Sequence, residues 1–508
     1  MDLHFNLVDE PWLPCVRDDG PPVELGLYDA LAQAHTLREL HGETPLGTAA
    51  LHRLLLAVLH RVFGPESRKA WSQLWRKGRW DEEALQEYFD RWRHRFDLFD
   101  DEHPFYQAAD ERVKPKPVTS LMLYVASGNN PTLFDHHTDA EGITLTPVQA
   151  AQALVAAQSF GLAGLSGLRQ KFTDGSCAQG IVFLVQGENL FGTLALNLVR
   201  YKGDAPMPRQ PDDCPAWEMD DPFVPDRSIP HGYLDYLTWQ NRRVLLMPED
   251  TPDGLVVRQM TMAPALRMDD DILNPMTHYR RDEKRGPMPL AFREGRALWR
   301  DSAALFQLHD EGQQPPQAFR WLSGLAERGY LPESAIYRYL ALGMSKRQAK
   351  VYFFRHERMP LSLTYLVDET LSEKLRDALR AAEGVGAALR RAGWELAQWV
   401  VSPADRKQAY RDDTQLVFSQ LNVERRYWSR LEVKFQRFVR DLPQDRQAAL
   451  DDWVKTLQRT ARDAFTEAAE GIRDPIRGLK AITLARGTLE RNMAWAIKSE
   501  NQGERNMR

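Results

Sequence analysis

Asp135, His136 and His137 stand side by side just behind Leu133 and Phe134, in the stretch SGNNPTLFDHH (Ser127 to His137). A carboxylate beside two imidazoles is the inventory of a metal or acid–base site. Adjacent residues rarely ligate one ion, however, so His136 and His137 together are weak support for a metal. His103 follows Asp101 and Glu102, but Pro104 breaks the i, i+4 geometry that would turn them toward a common ion. The sequence carries no GxSxG, HExxH or DxDxG pattern, and Cys15, Cys177 and Cys214 form no CxxC pair. A second inventory suits nucleic acid. Lys346-Arg347-Gln348 follows Gly343, so two cations that can meet phosphates adjoin an amide that can donate and accept at base edges or wedge against a separated pair. Gly161, Gly164 and Gly167, in SFGLAGLSGLR (Ser159 to Arg169), would let a backbone approach another molecule closely, though they lack the order of a phosphate-cradling P-loop. Each group also has a purely structural reading: a loop pinned by Leu133 and Phe134, close helix–strand packing at the glycines, an exposed helix N-terminus at Lys346.

The elements that must position these residues follow from periodicity. Phe5 to Val8 reads as a short buried strand with Val23 to Leu25 as its partner, stopped by Pro11 and Pro14. Thr44-Pro45 opens a helix whose apolar face runs from Ala49 to Val62 and stops at Gly64-Pro65. Trp71 to Trp75 and Leu85 to Trp92 predict two further amphipathic helices. The loop Gly128-Asn129-Asn130-Pro131 precedes a helix between Val148 and Phe160, which leads into the glycines. Gly180 to Val185 and Val256 to Met262 read as strands, Asp204 to Pro230 as a Pro- and Asp-rich connection, and Asn274 to Gly286 as a basic loop. KVYFFRHE, after Arg347-Gln348-Ala349, looks helical. From Leu371 onward four long patterns at three- and four-residue spacing, with few Gly or Pro, predict a four-helix bundle. Its Arg390-Arg391, Arg406-Lys407, Arg411, Arg425-Arg426, Lys434 and Arg437 could line a track for a displaced strand, but Glu424 and Glu432 are interleaved, so a solvated face is the stronger default.

At 508 residues, with 43% hydrophobic and 27% charged residues, the chain is that of a multi-domain globular protein. A formal net charge of −5 excludes a uniformly basic nucleic-acid coat and confines such binding to local patches. Three dispersed cysteines exclude a disulfide framework and indicate a cytoplasmic location. The acidic opening MDLHFNLVDEPW does not read as a signal peptide, and no apolar run reads as membrane-spanning.

FNLVDEPWLP (Phe5 to Pro14), DEHPFYQ (Asp101 to Gln107), SFGLAGLSGLR and SKRQAKVYFFRHERMPL (Ser345 to Leu361) occur in an order that resembles the large subunit of the type I-E CRISPR surveillance complex Cascade, the CasA family. The resemblance runs from Phe5 to about Ile497. It implies a non-catalytic subunit that recognises the short motif beside a DNA target (the PAM) in double-stranded DNA. It implies, further, that the subunit helps open the duplex for crRNA pairing and positions a recruited helicase–nuclease. On that likeness Gly161, Leu162, Ala163 and Gly164 correspond to the glycine loop that approaches the PAM. Gln348, between Arg347 and Ala349, corresponds to the wedge. Leu133, Phe134, Asp135 and His136 correspond to the loop that meets the crRNA 5′ handle, with Phe134 stacking. The family's lysine finger has no lysine to match between Met260 and Arg267; Arg267 is one candidate substitute and Lys284 a weaker one. The implied partners are the crRNA 5′ handle, target duplex, the other Cascade subunits and the helicase–nuclease, with no membrane and no cofactor.

The expected architecture is therefore α+β: a mixed domain over 1–367 with small sheets and helices, then a four-helix bundle over 368–508. Two other functions remain open from the residues, a metal-dependent hydrolase using Asp135, His136 and His103, and a purely architectural assembly subunit.

Overall fold

The computed structural model describes residues 3–18, 20–123, 143–200, 207–308, 310–347, 350–472 and 475–506. Leu133, Phe134, Asp135, His136, His137, Gln348 and Ala349 lie outside the described residues. The chain divides into two compact units, one of 1–294 with 308–363, the other of 295–307 with 364–508.

The first unit is built around the helix Pro45–Phe63. Thr44 begins it by accepting a hydrogen bond from Gly47 N at 3.0 Å, Pro45 occupies the first turn where no N–H is needed, and Gly64 ends it. By length and composition this helix would pass for a membrane span, contrary to the expectation that no apolar run is long enough. Here it is a core helix, with Leu46 through His60 buried on all sides. The helix Pro147–Phe160 packs against it. It starts with a capping box, Thr146 Oγ1 accepting from Gln149 N and Gln149 Oε1 accepting from Thr146 N.

Among the described residues, four three-stranded antiparallel sheets complete this unit. Two matter for the site. In one, the long hairpin Ile336–Arg347 and Lys350–Ser362 is joined on its first strand by the fully buried strand Val182–Gln186. In the other, Arg242–Thr251 and Gly254–Pro264 form a hairpin whose second strand also pairs with Lys116–Pro117.

Three expectations need correction. KVYFFRHE is not helical: it is the Lys350–Ser362 strand, because its β-branched and aromatic residues find a ladder partner in Ile336–Arg347 along its whole length. Val23–Leu25 does not pair with Phe5 to Val8. It pairs with Leu13–Arg17, while Leu7 N donates to Phe96 O and Leu98 N to Phe5 O, each at 2.9 Å. The basic loop after Asn274 contains the strand Tyr279–Asp282, turned back onto Gly286–Pro289.

The second unit is helical. Four long helices, Glu369–Val401, Val423–Asp441, Arg446–Glu470 and Pro475–Asn506, are supplemented by a shorter one, Arg411–Leu421, that the periodicity did not reveal. Leu375, Val385, Leu389 and Leu396 are buried on the first of these helices, and Leu431, Phe435, Leu457 and Phe465 on the next two. Each such side chain contributes roughly 1.5–3 kcal/mol by leaving water. Two polar tips within this core are bonded to backbone: Tyr427 Oη donates to Ala382 O and Trp453 Nε1 to Ala378 O, both at 3.0 Å. The segment Gly295–Gln307 belongs to this unit. Trp299 is 1% exposed with its ring 4.7 Å from that of Phe435, and Arg296 and Arg300 both bond Glu383.

Candidate nucleic-acid interface

The helix Pro147–Phe160 ends at Gly161, whose N–H closes the last turn on Ala157 O at 2.9 Å. Glycine is required here by space. A Cβ would stand 2.2 Å from Cζ of Arg242 and 2.6 Å from Ala157 O. The guanidinium of Arg242, 4% exposed, lies against this bare backbone and holds the loop from beneath. Its Nη2 donates to Leu162 O at 2.7 Å and to Thr173 O at 3.3 Å, and its Nη1 donates to Asn241 Oδ1 at 2.7 Å. Burial pulls the Arg242 guanidinium down to about 10, with Asp174 acting upward.

The loop then turns out and returns. Gly164 and Phe172 exchange two backbone hydrogen bonds, at 3.2 and 3.0 Å, and Gly175 N closes on Gly161 O at 2.7 Å. At the far end Gly167 takes φ +81, a conformation that L side chains resist. Ala163 is exposed, and Leu165 stands 85% exposed between Gly164 and Gly167. Among the described residues nothing covers this large apolar side chain at the loop tip. Arg169 and Lys171 are exposed on the returning limb. The Phe172 ring has two cations near its faces, Lys116 at 5.6 Å and Arg242 at 5.4 Å. Burial, and then Arg242, lower the Lys116 pKa.

Asp174 joins this loop to the end of the long hairpin. Its Oδ1 accepts Ala163 N at 2.9 Å and its Oδ2 pairs with Lys346 Nζ. Lys346 and Asp174 are both largely buried, at 16% and 17% side-chain exposure, so the pair is a fixed tie. Lys346 immediately precedes Arg347, which is exposed and pairs in the ladder with Lys350. The ladder slips by one residue between Ser345 and Lys346, and Tyr352, opposite the slip, is 53% exposed. Gly161 through Gly164 and the strand end at Lys346-Arg347, far apart in the sequence, are thus brought together.

Arg267 leaves the strand Gly254–Pro264 on a different footing. Ala265 N donates to Asn241 O at 3.1 Å, and Asn241 Nδ2 donates to Thr173 O at 3.1 Å, so the root of this segment is linked to the returning limb of the loop. The Arg267 side chain itself is exposed and lies 3.7 Å from Asp270. Lys284 sits in the turn that Asp282 Oδ1 caps through Lys284 N and Arg285 N. His103 is exposed, its N–H donating to Asp100 Oδ1 at 2.6 Å. Among the described residues no group of three His, Cys, Asp or Glu side chains could hold a metal ion.

Asp174, Thr173 and Asn241 hold the loop, and no motif in the sequence marks them for that role. Only the Asp-Gly step at 174–175 hinted at a turn there. Beneath them Arg53 of the central helix, 1% exposed, donates to Ser176 Oγ at 3.2 Å and to the Tyr236 carbonyl at 3.2 Å. The base of the loop is therefore tied by hydrogen bonds, Gly164 and Gly167 leave open backbone beside the exposed Leu165, and Arg169, Lys171, Arg347 and Lys350 are exposed cations of the loop and of the hairpin end. Such a surface admits a polyanion close to peptide groups.

Residues 6–464 match the family model for the CRISPR-associated protein Cse1. The CRISPR-associated protein CasA/Cse1 of Thermus thermophilus is 35% identical over 505 residues, covering 96% of each chain. The crystal structure of Cse1 from Acidimicrobium ferrooxidans superposes with a TM-score of 0.83 at 26% identity, over 99% of both chains. A chain of a CRISPR RNA-guided surveillance complex in a pre-nicking state gives 0.66 at 25% identity, over 96% of this chain and 98% of that one. An α+β unit carrying a glycine-lined loop and a helical unit define the class, and the chain belongs to the Cse1, or CasA, family of CRISPR-associated proteins.

Proposed function

We propose that this chain is the large subunit of a type I-E Cascade, a cytoplasmic binding subunit that meets the PAM-bearing flank of double-stranded DNA through the surface formed by Gly161 to Gly164 and the strand end at Arg347. One observation carries this reading: Asp174 bonds both Ala163 N and Lys346, which joins the glycine-rich loop to the strand end at Arg347. Family membership and the likeness to a chain of an RNA-guided surveillance complex support it. Gln348, with Ala349 behind it, then serves as the wedge beneath the PAM. Leu133 to His136, with Phe134 stacking, meet the crRNA 5′ handle, and Arg267 stands in for the lysine finger.

The energetics are modest. Unstacking one step costs a few kcal/mol, repaid by contacts along the flank, and exchange of DNA pairing for guide pairing is then close to balanced. Opening of the first pairs is therefore the step at which a wedge matters, and the opened duplex is what a recruited helicase–nuclease engages.

The test is Gln348→Ala in the assembled complex on linear target duplex. Assembly with the other subunits should be unchanged and R-loop initiation slowed at least tenfold. An unchanged initiation rate removes the wedge. Phe134→Ala should weaken docking of this chain onto the crRNA-bearing remainder, as measured by titration; equal affinity removes that assignment.

A further inference from the structure

The helical unit holds an open groove of about 630 Å³ between the helices Glu369–Val401, Arg411–Leu421 and Pro475–Asn506. One wall is aromatic. The rings of Trp394 and Phe418 meet edge to face, 5.6 Å between centroids at 66°. Gly393 allows this wall, since a Cβ there would stand 3.2 Å from Phe418 Cε2 and 2.9 Å from Val423 Cγ2. Phe418 is thus seated against bare helix and fixes the edge of Trp394, whose half-buried ring lines the opening.

The rim is basic. Arg390 is paired with Glu424 and Arg406 with Glu395, so their charges are committed. Arg391 and Lys407 are exposed at the same opening and have no ion pair among the described residues. Gln398 and Asn492 add amide groups to the lining. Asn492 Nδ2 is spent on Thr488 O at 2.9 Å, which leaves its carbonyl oxygen to accept.

Each class of ligand leaves something unused except one. A simple anion needs no aromatic wall, an apolar molecule gains nothing from Arg391 and Lys407, and a cation is repelled by them. A flat heteroaromatic ring bearing a phosphate uses all three features, by stacking, amide contacts at the ring edge and charge-assisted hydrogen bonds. The volume is that of a small-molecule site. We propose that this groove binds one unstacked nucleotide, with the base against Trp394 and the phosphate between Arg391 and Lys407. The nucleotide is either free or one residue of a single strand. The site belongs to the helical unit alone and does not depend on the role proposed for the glycine loop.

Equilibrium dialysis of the full chain tests this, with AMP, adenosine, inorganic phosphate and a ten-residue deoxyadenosine strand as probes. AMP should bind saturably at one per chain, and adenosine and phosphate each at least tenfold more weakly. Trp394→Ala and the pair Arg391→Ala with Lys407→Ala should each weaken AMP at least tenfold, while Trp394→Phe, which keeps an aromatic face and the packing, should cost less than threefold. Both sources support the site: a strand bound more than tenfold tighter than AMP, with the same sensitivity to the variants, marks a strand site, and equal affinities mark a free nucleotide. Binding of AMP and the strand that is absent, or is the same in wild type, Trp394→Ala and the double variant, overturns the proposal.

Discussion

Arg242 and Gly161 form a contact that leaves no room for a side chain at Gly161. Gly161→Ala puts a methyl 2.2 Å from the guanidinium, so the loop or the arginine must move. We expect a loss of about 1–3 kcal/mol in urea denaturation, the usual cost of overpacking, together with at least a tenfold loss of flank-dependent DNA binding. Stability loss with flank discrimination intact would show that the loop serves only packing. Leu165→Ser, at the exposed tip, should leave stability within about 0.5 kcal/mol, as is usual for surface changes, and still weaken flank binding several-fold. His60 gives a prediction in pH. Its ring meets Tyr233 edge-on at 5.0 Å, neither ring nitrogen has a hydrogen-bond partner among the described residues, and burial pulls its pKa down to about 3. The unfolded imidazole takes up its proton near pH 6.5, so between these values the unfolded chain binds more protons and stability falls as pH falls. The contribution is fully present above about pH 6.5, and lowering the pH from 7 to 5 removes about 2 kcal/mol of it. His52 is shifted in the same direction by its own burial. His60→Phe should reduce the loss between pH 7 and 5 by about 2 kcal/mol in denaturation curves, this being the His60 share of the slope. An unchanged slope would place the acid sensitivity elsewhere.

At the scale of elements, the decisive feature is the tie between a helix-ending loop and a hairpin end. Asp174→Asn and Lys346→Met each break the same ion pair. Their effects on stability should therefore not add, with a coupling of about 1–3 kcal/mol in a double-mutant cycle, since contacting partly buried charges are strongly interdependent. Additive losses would mean that loop and hairpin are held by other means. The same pair marks the limit of what the sequence reveals. Helices with caps and a clear apolar stripe, such as Pro45–Phe63 with Thr44 and Gly64, are written in consecutive residues and are legible. The glycines and Lys346-Arg347 are visible as residue types. Their meeting is not, because Asp174 gains its role only when strands far apart in the chain are folded together. KVYFFRHE reads as helical for the same reason, although it begins the strand Lys350–Ser362: a charged and aromatic stretch shows its period only once its partner strand is known. Arg411–Leu421 was overlooked because it is short and mostly exposed, so few apolar residues mark its face.

At the scale of the molecule, each unit has its own core. In the helical unit, Glu383 receives both Arg296 and Arg300 and so fastens the segment Gly295–Gln307, which comes from the middle of the chain, to the helix Glu369–Val401. Burial pushes the Glu383 carboxyl up, but the two guanidiniums outweigh it and hold it below the usual range. Glu383→Gln should cost about 1–3 kcal/mol, as for hydrogen bonds to charged groups, and should speed amide exchange in that segment. Unchanged exchange there would show that Trp299 packing alone holds it. The central claim, that a bare-backbone loop and a hairpin end act as one duplex-facing surface, is tested most directly by comparing target duplexes with permissive and non-permissive flanks in the assembled complex, for wild type and Asp174→Asn. Wild type should separate the two flanks by at least tenfold in affinity, and Asp174→Asn should reduce that separation to less than threefold while its incorporation into the complex is unchanged. A variant that assembles normally and still separates the flanks as wild type does would contradict it.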